Sequence, residues 1–325
     1  MTHGSTAEIV SQSELNSERR NSPWPVVLAS SCTIVTFASA FVAIRAGLRA
    51  YSPSQLAALR FVVSSLLFGA LAIFRPVRVP AARDWPRMIL TGLIGFAIYA
   101  LLINTGEVQV PAGIASFVIN TSPVLTAVLA SMALGERIGI TGWIGLAISL
   151  SGTAVLAFGT GTGFAFEPAV LFLLAAALAQ AIYFTMQKPL IGLYGATSTI
   201  SWAVWSAAIF LLPILPSALR NAQRAPLSAT LSVIYLAVVP TVIGYATWAF
   251  AVSRATVGRL TSLLYFVPPT ATLIGWVWLG ERPKLIGIGG GCLAIAGVAL
   301  VNLRSPFRTA AVRERAARAG EGRNR

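Results

Sequence analysis

The sequence predicts an all-α integral membrane protein of ten transmembrane helices, arranged as two inverted five-helix repeats. Three observations carry that prediction. The first is composition: 56% of the 325 residues are hydrophobic, only 10% are charged, and the mean hydropathy is +0.77, where a soluble domain carries about 25% charged residues. The second is length: uncharged apolar runs such as 110–134 and 285–303 match the roughly 20 residues of helix that cross a hydrocarbon core. At that length plus a short loop each, ten spans fill the chain from Trp24 to Leu303 and leave no room for a soluble catalytic domain.

The third observation is an internal repeat. Gly113 to Arg137, GIASFVINTSPVLTAVLASMALGER, returns 145 residues later as Gly258 to Arg282, GRLTSLLYFVPPTATLIGWVWLGER. Gly113 falls on Gly258, Pro123 on Pro268, and Leu134-Gly135-Glu136-Arg137 on Leu279-Gly280-Glu281-Arg282; downstream, Gly142, Gly145 and Gly152 fall on Gly287, Gly290 and Gly297. A repeat at fixed offset sets the architecture. Five spans per half is an odd number, so the second half enters the membrane from the opposite side and the repeats are inverted. In a membrane chain that arrangement points to a two-half transporter whose site lies between the halves.

The domain plan is a polar tail over 1–23, a first repeat over 24–158, a connector over 159–167, a second repeat over 168–303 and a basic tail over 304–325. The net charge of +14 places seven of 24 basic residues in that last tail. Most of the others sit in short loops, which reads as anchoring on the cytoplasmic side beside anionic lipid and not as a nucleic-acid surface. Arg75, Arg78, Arg83 and Arg87 mark the loop after span 2 as cytoplasmic, and with ten spans both termini are cytoplasmic. Cys32 and Cys292 lie inside apolar spans without partner spacing, so neither a disulfide framework nor a metal site is expected. His3 is the one histidine and stands in the polar tail.

Span 1 (about 25–45) repeats Thr33, Phe37 and Phe41 along one face, either lining a cavity or packing with its hydroxyls turned back on the backbone. Span 2 opens at Pro53, where a missing N–H costs little, and carries Arg60 two turns inside. A charge there is either functional or snorkels to the headgroups, and the latter is the favoured reading. Span 3 (about 87–104) carries Tyr99, and the loop after it holds Glu107 and no basic residue, the pattern of an outside loop. In span 4, Pro123 should kink the helix beside Asn120, with Ser116 one turn earlier. Span 6 carries Gln180 and Tyr183, span 8 Tyr245 and Trp248, and span 9 Pro268-Pro269 beside Tyr265, which occupies the place of Asn120 in the first half. Paired interruptions at matching places point to a transporter's site. Glu136 and Glu281 each end a broken span, where a carboxylate suits the free N–H groups of the span that follows. The glycines of spans 5 and 10 suit close packing, within the chain or against a second copy in a homodimer.

These features resemble the EamA-type branch of the drug/metabolite transporter superfamily. The resemblance runs from span 1 to span 10 and rests on FVAIRAGL (Phe41 to Leu48), Leu59-Arg60-Phe61, Ala115-Ser116 through Asn120-Thr121-Ser122-Pro123, both LGER runs and GYATWAFAV (Gly244 to Val252). It implies an inner-membrane permease, commonly an exporter of amino acids or related small metabolites, with a central cavity formed chiefly by spans 1, 3, 4, 6, 8 and 9. Phe37 stands where relatives often carry Trp.

The expected lining is therefore Thr33, Phe37, Phe41, Tyr99, Ser116, Asn120, Gln180, Tyr183, Tyr245, Trp248 and Tyr265, with Pro123, Pro268 and Pro269 as kinks. Such a neutral, amphipathic set suits a small zwitterion or weakly polar metabolite. No acidic residue falls in the middle of a span, so no proton relay is evident. A lipid- or drug-like substrate is the alternative. An enzyme is disfavoured because the spans lack histidine, paired carboxylates, HExxH and GxSxG. No cofactor is implied.

Overall fold

The computed structural model describes residues 24–110, 112–136, 138–159, 168–279 and 285–303. Both tails, most of the connector and Glu281 lie outside the described residues.

Ten apolar helical segments follow one another along the described chain, and we number them α1 to α10. They are α1 (Trp24–Leu48), α2 (Pro53–Phe74), α3 (Ala82–Gln109), α4 (Ala112–Ile119 and Ser122–Leu134), α5 (Ile140–Gly159), α6 (Ala169–Tyr194), α7 (Ala196–Ala222), α8 (Leu227–Val252), α9 (Val257–Leu279) and α10 (Leu285–Leu303). Local chemistry sets several ends. Ser52 caps α2 with a reciprocal box, its hydroxyl accepting from Gln55 N (3.3 Å) while Gln55 Oε1 accepts from Ser52 N (3.2 Å), and Pro53 occupies the first turn. Gly135 ends α4 in the left-handed conformation, φ 65°, which costs a residue without Cβ little.

The proline-broken spans match across the halves. α4 opens at Asn120–Thr121, and α9 tightens into a 3₁₀ turn over Leu263–Phe266 at the same offset. Pro123 and Pro268 then stand second in the helices that follow. Two further irregularities lie away from the matched prolines, the second of them around Pro240. α3 passes through a π-helical turn at Leu93–Ile98, and α8 through one at Ala237–Gly244, which contains the segment 145 residues on. π turns are rare and favour functional sites; these two end directly before Tyr99 and Tyr245.

The halves interlock. α1 packs on α8 and α9, α6 packs between α3 and α4, and α5 runs along α10. At the α5–α10 seam a Cβ on Gly152 would stand 2.3 Å from Ala294 N, and one on Gly297 would stand 2.5 Å from Ser149 N. Ser149 Oγ also donates to the Ala294 carbonyl (3.0 Å). These glycines are thus used inside the chain, where small residues let membrane helices approach. Large apolar side chains such as Leu66, Ile73, Met132 and Leu285 face outward, whereas Thr33, Arg60, Ser64, Asn120 and Gln180 are buried. That is the polarity of a fold solvated by lipid.

Candidate functional site

The broken and π-helical spans meet around one cavity between the halves. The space between its atoms is about 540 Å³, counting the part open to solvent. α1 lines it with Phe37, Phe41 and Ile44, α2 with Arg60, α3 with Tyr99 and Ile103, and α4 with Ile119, Asn120 and Ser122. Gln180 comes from α6, Pro240 and Tyr245 from α8, and Leu264 and Val267 from α9.

The polar groups are set by the irregular backbone. Where α4 opens, the Asn120 side-chain amide donates to the Ser116 carbonyl (2.7 Å), and its buried Oδ1 has no partner among the described residues. Ser122 Oγ donates to Gln180 Oε1 (2.7 Å), and this fixes the amide so that Nε2 is directed at the Tyr99 hydroxyl (3.4 Å). Phe37, Phe96 and Tyr183 surround Tyr245 with ring centroids 5.0, 4.5 and 5.9 Å away, so its ring is held by tilted and edge-on contacts.

Arg60 does not snorkel. It is 4% exposed, and its Nε donates to Thr241 Oγ1 at 2.7 Å. The Thr241 hydroxyl donates in turn to the Leu236 carbonyl five residues back (2.8 Å), the spacing that the π turn creates. No other hydrogen bond from Arg60 exists among the described residues, although a guanidinium has five N–H donors. The outside-loop reading of Glu107 is likewise corrected. Helix α3 runs on to Gln109, Glu107 is 3% exposed, and neither carboxylate oxygen has a hydrogen-bond partner among the described residues. Arg45 and Arg60 are the basic groups whose charge reaches it, yet the one ion pair among the described residues is the surface pair Arg83–Asp84.

Of the eleven residues expected to line the cavity, the structure brings together Phe37, Phe41, Tyr99, Asn120, Gln180 and Tyr245. Five are used elsewhere. Thr33 bonds the Ala29 carbonyl (2.9 Å) and Thr247 (2.8 Å), joining α1 to α8. Ser116 lies one turn below the opening and gives its carbonyl to Asn120. Tyr183 lies against Gly95, where a Cβ would come within 2.2 Å of its ring, and Trp248 packs on Phe184 at 4.4 Å. Tyr265 is fully buried in a separate apolar cluster with Ala127, Leu146 and Val298, so the matching positions 120 and 265 serve different ends.

Glu136 also departs from expectation. Its Oε1 and Oε2 accept from the backbone N–H groups of Val257 and Gly258, both at 3.0 Å. The helix it caps is therefore α9 of the other half and not the span that follows it. Sequence reasoning passed over Ser122 and assigned Arg60 and Glu107 to other places. The charge of Arg60 two turns inside a span was the usable signal; Glu107 carried none, because the end of α3 was drawn too early.

A cavity with buried polar groups between two inverted, helix-broken halves of a multi-pass fold defines the class: a membrane transporter. The sequence profile of the EamA-like transporter family matches residues 24–158 and 167–303, and the chain belongs to that family. It is 41% identical over 282 residues to a probable terminal-alkyne amino-acid exporter of Streptantibioticus cattleyicolor, covering 87% of this chain and 93% of that one. It is 37% identical to the uncharacterized transporter YdfC of Bacillus subtilis (86% and 91% covered). A probable amino-acid metabolite efflux pump of Salmonella typhimurium is 29% identical (82% and 90% covered). One crystal structure superposes with a TM-score of 0.70 at 24% identity over 87% of this chain and 98% of that one, a likeness of fold.

Proposed function

We propose that the chain exports amino acids or related small metabolites across a bacterial-type inner membrane by alternating access, with both termini cytoplasmic. The observation that carries this reading is the cavity itself, which is lined both by Arg60, Asn120, Ser122 and Gln180 and by Phe37, Phe41, Ile44, Ile103 and Val267. A small molecule with a polar head and an apolar side chain satisfies both surfaces. The names of the relatives from Streptantibioticus and Salmonella support the same class. Inverted halves provide the motion, since exchanging their conformations turns an inward opening into an outward one.

Counterflow of the twenty labelled amino acids into liposomes holding the purified chain tests this reading. Selective exchange above empty liposomes is expected. Exchange confined to lipid- or drug-like compounds would replace it with the alternative substrate class. Glu107 favours coupling to protons: it is a buried carboxylate with no hydrogen-bond or ion-pair partner among the described residues. A pH gradient should therefore drive uptake by the unmodified protein and have no effect on Glu107→Gln; an equal response of both excludes Glu107 as the coupling group.

A further inference from the structure

We infer that Arg60 is the carboxylate-recognition residue of the cavity, and that the substrate is a zwitterion held between Arg60 and Asn120. This rests on the export of amino acids proposed above and names the chemistry by which the site selects them.

A guanidinium buried between membrane helices is costly unless it is paired and its donors are filled. Among the described residues Arg60 has one hydrogen bond, from Nε to Thr241, and no carboxylate within 4.0 Å. That bond anchors the guanidinium at Nε, Phe61 lies beside it with its ring centroid 5.4 Å from Cζ, and the residue lines the cavity. A planar carboxylate accepts two parallel N–H bonds from a guanidinium fork.

The complementary end lines the same cavity. Asn120 Oδ1 is a buried acceptor with no partner among the described residues, while the amide nitrogen donates to the Ser116 carbonyl. An ammonium group supplies the donor that this oxygen lacks. The two unfilled groups, one cationic donor and one neutral acceptor, thus match the two ends of an α-amino acid. The apolar wall of Phe37, Phe41 and Ile103 takes its side chain. No carboxylate among the described residues lies within ion-pair distance of Arg60, so the guanidinium is available to a ligand.

The test uses the full chain in liposomes and the best-carried amino acid of the counterflow panel. Its competitors are its own amide, its decarboxylated amine and its deaminated acid. The parent should compete best; the amide and amine should be weaker by at least about tenfold, the loss of one charged hydrogen-bonded contact, and the acid, which lacks the ammonium that Asn120 accepts from, should fall between them and the parent. Arg60→Gln and Arg60→Lys should remove that discrimination, the lysine because an ammonium lacks the planar fork that pairs a carboxylate twice. The unmodified protein decides the matter even where a variant does not fold. Equal competition by parent, amide and amine overturns the role of Arg60 and leaves the exporter reading standing. Failure to carry any amino acid overturns both.

Discussion

Thr241→Val is the substitution that most directly isolates what the π turn of α8 does. Valine has nearly the shape of threonine, so the change leaves no cavity and removes only the hydroxyl. Two hydrogen bonds go with it: Arg60 Nε to Thr241 Oγ1 at 2.7 Å, and Thr241 Oγ1 to the Leu236 carbonyl at 2.8 Å. The first is to a charged group, worth about 1.5–3 kcal/mol, and the second about 1 kcal/mol. Loss of both should destabilise the protein by about 2.5–4 kcal/mol. Thr241→Ser keeps the hydroxyl and should cost about 1 kcal/mol for the lost methyl group. The assay is reversible denaturant unfolding of the purified chain in mixed micelles, repeated on an Arg60→Met background. There Thr241→Val should cost only the second bond, and the difference is the coupling energy of the pair. The reasoning fails if the valine variant is as stable as the serine variant, or if its cost is the same with and without Arg60.

Two further predictions concern how the halves are held. Gly152→Ala places a methyl carbon 2.3 Å from Ala294 N and 2.7 Å from the Gly290 carbonyl oxygen, so α5 and α10 must separate. A loss of about 1–3 kcal/mol is expected in the same unfolding assay, while Gly69→Ala, with nothing within 4 Å of its Cβ, should be neutral or stabilising. Glu136→Ala strips two N–H groups at the start of α9 of their acceptor and should cost about 1–2 kcal/mol. Glu136→Gln keeps one oxygen and should cost less, and faster amide exchange at Val257 and Gly258 would show that the loss is at the cap.

Much of the fold was legible in the residues. α2 runs over Pro53–Phe74 as its proline start and basic end suggest, and the openings of α4 and α9 fall where Pro123 and Pro268 remove N–H donors. Proline acts locally, through a donor it lacks and a ring that clashes one turn back, so its effect can be read without knowing the neighbours. The site was legible in part. Phe37, Phe41, Tyr99, Asn120, Gln180 and Tyr245 line the cavity because each stands near a break or on the inward face of a helix. Tyr183, Trp248 and Tyr265 share their chemistry but are enclosed by Gly95, Phe184 and Leu146, contacts made across helices that sequence spacing does not contain.

By itself the sequence determined that this chain crosses the membrane ten times, that its halves repeat and are inverted, and where two of its helices break. Those properties follow from hydropathy, span number and proline, each summed along the chain. The tertiary structure alone decided that the guanidinium of Arg60 turns inward to Thr241, that Glu107 is buried at the end of α3, and that Glu136 caps a helix of the other half. A side chain's partner is set by which helices meet. In lipid that meeting is governed by close packing and by the need to satisfy polar groups across the whole bundle, not by the pattern of any one segment.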